Sequence, residues 1–201
     1  MVMECLKLNE ITKDQLEVYR CERRYVKYEA DIIAEIMEAR DTNDFEKLEW
    51  CQQFGDSLST MIKNLHAYLK QLEFGFTEIA FDQYGWFKRP EFLDKEKVIF
   101  GNPDHYMQHS YIEVARGVNN VWTTAINYTF GCAGGASPLS VYGEQFTSRK
   151  SALTASLIKL KDLMTAKLHD TDTTNYKQPV ILATLRDIEK AQIDMVQLSL
   201  F

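Results

Sequence analysis

Hydrophobic positions in the first third of the chain recur at helical spacing. Leu16, Tyr19, Val26, Ile33, Ile36 and Met37 form one stripe, and Phe45, Leu48, Cys51, Leu58, Met61, Ile62, Leu65, Tyr68, Leu69 and Leu72 a second. Thr12 with Gln15 three residues on makes a capping box for the first stripe. Asp41-Thr42-Asn43-Asp44 interrupts the pattern and supplies caps for the second. Gly55 weakens the second stripe without ending it. The pattern predicts two long helices joined by a short turn, which makes an antiparallel hairpin over residues 1–74.

At Phe74-Gly75 the pattern changes to aromatic and β-branched runs punctuated by turns. Short strands are expected over 76–81 and 97–100, and better ones over 111–116 and 121–130. Gly117-Val118-Asn119-Asn120 reads as the hairpin turn between the last two. Alternation puts Trp122, Thr124, Ile126 and Tyr128 on one face. A helix then starts at Thr147 or Ser148 with Ala152, Leu153, Leu157, Leu160 and Met164 as its stripe. A polar stretch over 169–175 separates it from a last helix, with Pro179 in the first turn and Leu182, Leu185, Ile188 and Met195 on its apolar face. The expected fold class is α+β: a long N-terminal helical hairpin (1–74), a small, mainly antiparallel sheet with a helix (75–168), and a C-terminal helix with a tail (169–201), the C-terminal helices covering the sheet.

Composition narrows the function classes. The chain has 201 residues, 45% of them hydrophobic, which is ordinary for one globular domain or one domain with an appendage. No apolar run approaches the 18 or so residues of a membrane span, and residues 1–9 lack a signal-peptide core, so a cytoplasmic protein is expected. Cys5, Cys21, Cys51 and Cys132 stand far apart, as reduced thiols do. The net charge is −6. Residues 1–75 hold ten Lys/Arg against fifteen Asp/Glu, a net of −5. Such a chain contacts DNA weakly, through a local basic patch, or indirectly through a partner that encircles it.

The most specific motif is Gln197-Leu198-Ser199-Leu200-Phe201. It resembles the pentapeptide with which bacterial replication and repair proteins dock on the DNA sliding clamp. The resemblance implies an extended peptide whose Gln makes a polar anchor while Leu and Leu-Phe fill an apolar pocket. It implies recruitment to the clamp, hence nucleoid association, and covers five residues only. An apolar tail folded on its own core is the other reading of the same residues.

A second resemblance covers residues 122–152. Trp122-x-x-Ala125-Ile126 followed by Gly143-Glu144-Gln145-Phe146-Thr147-Ser148-Arg149-Lys150-Ser151-Ala152 is similar to AP2-type DNA-binding domains, in which an aromatic strand precedes a Phe-Thr helix start. Arg149 and Lys150 are then the candidate DNA contacts. The 121–130 strand has no basic residue and the loop is longer than in that family, so the resemblance implies a sheet backed by a helix more than a base-reading surface.

Other candidates are less specific. Glycines in Gly131-Cys132-Ala133-Gly134-Gly135-Ala136-Ser137-Pro138 suit either a phosphate cradle or a long hairpin loop, but the Gly-Lys-Ser/Thr of a P-loop is absent. His105 and His109 would share a face of a helix as a metal pair, or stand solvated in a turn after Asn102-Pro103. Glu78, Asp82 and Glu113 on strands would suit a nuclease-like metal site or a solvated face. Arg20, Arg23, Arg24 and Lys27 pair in spacing with Glu17, Glu22 and Asp31 on an exposed helix face. No catalytic constellation and no cofactor motif stands out. The reading favoured by the sequence is a non-enzymatic accessory protein of bacterial or mobile-element DNA metabolism. An acidic phage-type inhibitor or DNA mimic, and a metal-dependent enzyme acting on nucleic acid, remain open.

Overall fold

The computed structural model describes residue 8, residues 11–21 and residues 26–197, without the side chains of Val196 and Gln197. The fold is α+β, with helices at both ends of the sequence and a four-stranded antiparallel sheet between them. It divides into two compact units, 1–90 and 91–201.

The first unit holds α1 (Lys13–Cys21), α2 (Lys27–Asp41), α3 (Phe45–Gln52) and α4 (Leu58–Leu72). The expected capping box forms: the Thr12 amide donates to Gln15 Oε1 at 2.8 Å, and the Gln15 amide to Thr12 Oγ1 at 3.3 Å. Asp44 caps α3 by accepting from the Lys47 amide at 3.0 Å.

Where the pattern predicts two long helices, the described residues form four. Gly55 does end a helix: α3 stops at Gln52, and Ser57 starts α4 anew by accepting from the Thr60 amide. A Cβ on Gly55 would lie 2.8 Å from the Met61 amide nitrogen, so the close turn requires glycine. Buried Ile33, Ile36, Leu48, Met61 and Ile62 from three helices then share one core. Each contributes roughly 1.5–3 kcal/mol by its burial.

Residues 75–90 belong to this unit, not to the sheet. In place of the expected 76–81 strand there is a single bridge between Phe81 and Phe87. The segment is held by side chains of α4. Asn64 is buried; its Nδ2 donates to the carbonyls of Phe54 (2.7 Å) and Gly85 (2.9 Å), and its Oδ1 accepts from the Phe87 amide (3.0 Å). Gln71 Nε2 donates to the Lys88 carbonyl at 2.7 Å. Phe54, Tyr68, Phe81 and Phe87 stack edge-on and tilted around this clip. The boundary expected after residue 74 therefore lies at Pro90, because packing on α4 outweighs the β-propensity of the aromatic run.

The second unit holds β1 (Leu93–Gly101), β2 (His109–Arg116), β3 (Trp122–Thr129), β4 (Gly134–Ala136), α5 (Arg149–Thr165) and α6 (Gln178–Gln197). Strand order follows the sequence, each strand antiparallel to the next. The 117–120 segment makes the β2–β3 turn, closed by the Gly117 amide donating to the Val121 carbonyl at 2.8 Å. Ser148 caps α5, and Pro179 stands in the first turn of α6.

The row Val98, Ile112, Ile126 faces α5 and α6, whose Leu157, Leu160, Met164, Ile181 and Ile188 complete the core. Ser156 Oγ of α5 reaches Thr124 Oγ1 on this face at 2.8 Å. The segment 169–197, expected as a separate piece, is integral to this unit through α6. Alternation turns Lys97, Ile99, His109, Tyr111, Glu113 and Asn127 to the opposite face.

Candidate functional site

Gln197 is the last residue of α6, and Leu198, Ser199, Leu200 and Phe201 lie outside the described residues. The helix leading to them is anchored by Ile181 and Ile188 in the core and by Met195 packed against it, while Ile193 and Asp194 are exposed. Arg23, Arg24 and Glu22 of the charged run likewise lie outside the described residues.

The AP2-like candidates are at the start of α5. Arg149 is a partner of the sheet: its Nε lies 2.7 Å from Glu96 Oε2 and its Nη2 2.6 Å from Glu96 Oε1. The hydrogen bond from Arg149 holds the Glu96 carboxyl below its ordinary pKa, and the same bond raises the guanidinium. Lys150 is exposed. The region 122–152 contains β3, β4, a loop and the first turn of α5.

The glycine-rich segment is a strand and its flanks. Four of its amides are spent within the protein: Gly131 donates to Thr129 Oγ1 (3.0 Å), Cys132 and Ala133 to the Asn175 carbonyl (3.4 and 3.3 Å), and Ser137 to the Ile126 carbonyl (3.0 Å). Glycine is required by close packing instead. A Cβ on Gly131 (φ +112°) would lie 2.4 Å from Lys177 Cγ, and one on Gly134 would lie 2.3 Å from the Tyr128 carbonyl oxygen. The amides thus do not converge on an anion as a cradle demands.

His105 and His109 are not on a helix. His105 sits in the tight β1–β2 connection, closed by Gln108 and Asn102 amides, and His109 opens β2. His109 Nδ1 lies 3.1 Å from the His105 carbonyl oxygen. A carbonyl only accepts, so as a hydrogen bond this contact requires the proton on Nδ1.

Glu78 and Asp82 are in the first unit and Glu113 is on β2 of the second. Asp82 Oδ1 accepts from the Tyr84 (2.9 Å) and Trp86 (3.0 Å) amides, which makes it a turn former. Among the described residues no three His, Cys, Asp or Glu side chains gather as a metal ion requires. Nor is any helix among them long and apolar enough to cross a membrane.

Two of these candidates, His109 and the glycine-rich segment, share a place. The face of the sheet opposite the helices forms, with the β1–β2 turn and β4, a groove of about 490 Å³. Lys97, His109, Tyr111 and Asn127 line its floor, and Tyr106 and Met107 its rim. Lys97 Nζ lies 3.5 Å above the centre of the Tyr111 ring, and Asn127 Nδ2 donates to Tyr111 Oη at 3.1 Å. Sequence reasoning singled out His109 and the glycine segment but missed Lys97, Tyr111 and Asn127. Their signal is the shared two-residue phase of three strands, legible only once the register is known.

Comparison with protein-family models found no match, and neither curated proteins nor solved structures gave a significant one.

Proposed function

We propose that this chain is an accessory protein of bacterial or mobile-element DNA metabolism, recruited to the DNA sliding clamp through Gln197-Leu198-Ser199-Leu200-Phe201. The observation that carries this reading is the residue pattern itself. A polar anchor is followed by apolar residues at the second, fourth and fifth positions, the set a small apolar pocket with one polar rim selects. The net charge of −6 agrees with an indirect route to DNA, because such a surface does not attract a duplex over its whole area. The helix α6, which ends at Gln197, is anchored in the core by Ile181 and Ile188.

A pull-down on immobilised clamp tests the reading, comparing the full chain with one truncated after Val196. This cut keeps Met195, which packs on the core. Retention of the full chain and loss of the truncated one is the expected result. Equal retention of the two would assign the contact to the folded body instead.

A further inference from the structure

A lysine on a strand next to a glutamate ordinarily pairs with it. Lys97 stands directly across from Glu113 in the β1–β2 register. Its ammonium instead lies over the Tyr111 ring, and among the described residues no carboxylate is within ion-pair distance of it. The groove around it is lined by no Asp or Glu at all, in a chain with 29 of them. Glu113 shares the face but lies outside ion-pair distance, so a cation held over an aromatic face, at a groove with no carboxylate in its lining, can take an anion.

The remaining groups specify more than an anion. The His109 and Tyr111 rings lie 6.4 Å apart and tilted by 33°, and Tyr106 on the rim is 89% exposed. The His109 and Tyr111 rings pack on each other at the floor, and the exposed Tyr106 on the rim offers an open π-face. Polar atoms sit between them. Asn127 uses its amide on Tyr111 Oη, which leaves its Oδ1 free to accept and the tyrosine hydroxyl hydrogen free to donate. His109 Nε2 is a further acceptor in the neutral ring. Cation, stacking faces and edge-reading groups together match a phosphate joined to a base.

We propose that this groove binds single-stranded nucleic acid, with Lys97, held over the Tyr111 ring, on a phosphate and the Tyr106 and His109 rings against unstacked bases. A duplex is the poorer fit, because its bases are already stacked on one another and leave no faces for the rings. The site is separate from the terminal pentapeptide and does not depend on the clamp reading.

Fluorescence anisotropy of the full chain, without clamp, tests it. The probes are labelled oligothymidylate and oligouridylate about a dozen nucleotides long, and a duplex of equal length, at low salt. The expected result is saturable binding of a single strand, tighter than of duplex and weakened by salt. Lys97→Ala and Tyr111→Leu should each weaken it about tenfold, the order of one lost stacking or phosphate contact. Lys190→Ala, at an exposed position on α6, should leave it unchanged, and thermal melts should show all three variants folded. Thymidylate and uridylate arms show whether DNA or RNA is preferred. Absence of single-strand binding at low salt, equal affinity in the Lys97 and Tyr111 variants, or full competition by an equal concentration of thymidine monophosphate would each overturn the proposal.

Discussion

Arg149 at the first position of α5 grips Glu96 of β1 with two nitrogens, at 2.7 and 2.6 Å. The pair ties a helix start to a strand 53 residues earlier, in the second unit. Both side chains are partly exposed, 46% and 41%. An exposed pair of good bidentate geometry contributes about 0.5–1 kcal/mol, screened by salt. Arg149→Ala should therefore lower stability by about that amount in urea melts at low salt, and less at high salt. Its effect on nucleic-acid binding should be small, because the guanidinium is already engaged. The sign with pH follows from the lowered Glu96 pKa: the contribution is present above the ordinary carboxylate range and is lost as pH falls through the folded value. An Arg149→Ala destabilisation as large at acid pH as at neutral pH would contradict this assignment.

Asn64 makes three hydrogen bonds from a buried position to the Phe54 and Gly85 carbonyls and the Phe87 amide. Removing one partner leaves such groups unsatisfied at about 1–3 kcal/mol each, with partial relief from relaxation. Asn64→Ala should cost roughly 2–4 kcal/mol. Hydrogen exchange should show the loss first at the amide of Phe87. A change below 1 kcal/mol, on that same scale of unsatisfied groups, would mean that the 75–90 segment is held by its aromatic contacts alone.

His66 stacks on Tyr28 with ring centres 3.8 Å apart, and burial lowers its pKa, helped by the nearby Lys70. The unfolded chain therefore takes up the proton first as pH falls. Stability should be full above the ordinary value of 6.5 and decline below it until the folded value is reached. His66→Phe keeps a flat ring without the titration. Melting temperatures measured between pH 7.5 and 5.5 should fall more for the wild-type protein than for this variant. Parallel curves would remove His66 from the account.

Three helix starts were legible in the sequence, because caps act over three or four residues; the starts of α2 and of α4, capped by Ser57, were not. Thr12 with Gln15, Asp44 and Ser148 all behave as their types require. The β2–β3 hairpin was legible for the same reason, its turn being set by residues 117–120. Less local features were not. Gly55 looks tolerable inside a helical stripe, and only the approach of Met61 makes it a turn. Glycines 134 and 135 have poor strand propensity, yet the open edge of β3 recruits them as β4. Phe81 reads as a strand residue but packs on Phe54, between α3 and α4. The groove on the sheet was the least legible. Lys97, Tyr111 and Asn127 come from three strands and meet only through register.

Recruitment to the clamp is tested most directly by calorimetric titration of the full chain, and of its Leu200→Ala/Phe201→Ala double variant, into purified sliding clamp. Burying each of the two side chains contributes roughly 1.5–3 kcal/mol, and the Gln197 hydrogen bond about 1 kcal/mol net. After the cost of ordering the peptide, an affinity near micromolar is expected, about −8 kcal/mol in total. The account predicts saturable binding by the wild-type chain and no detectable heat of binding from the variant, with the two proteins melting at the same temperature. Equal binding by both proteins, or none by the wild type, would contradict it, and a large drop in the variant's melting temperature would assign Leu200 and Phe201 to the fold.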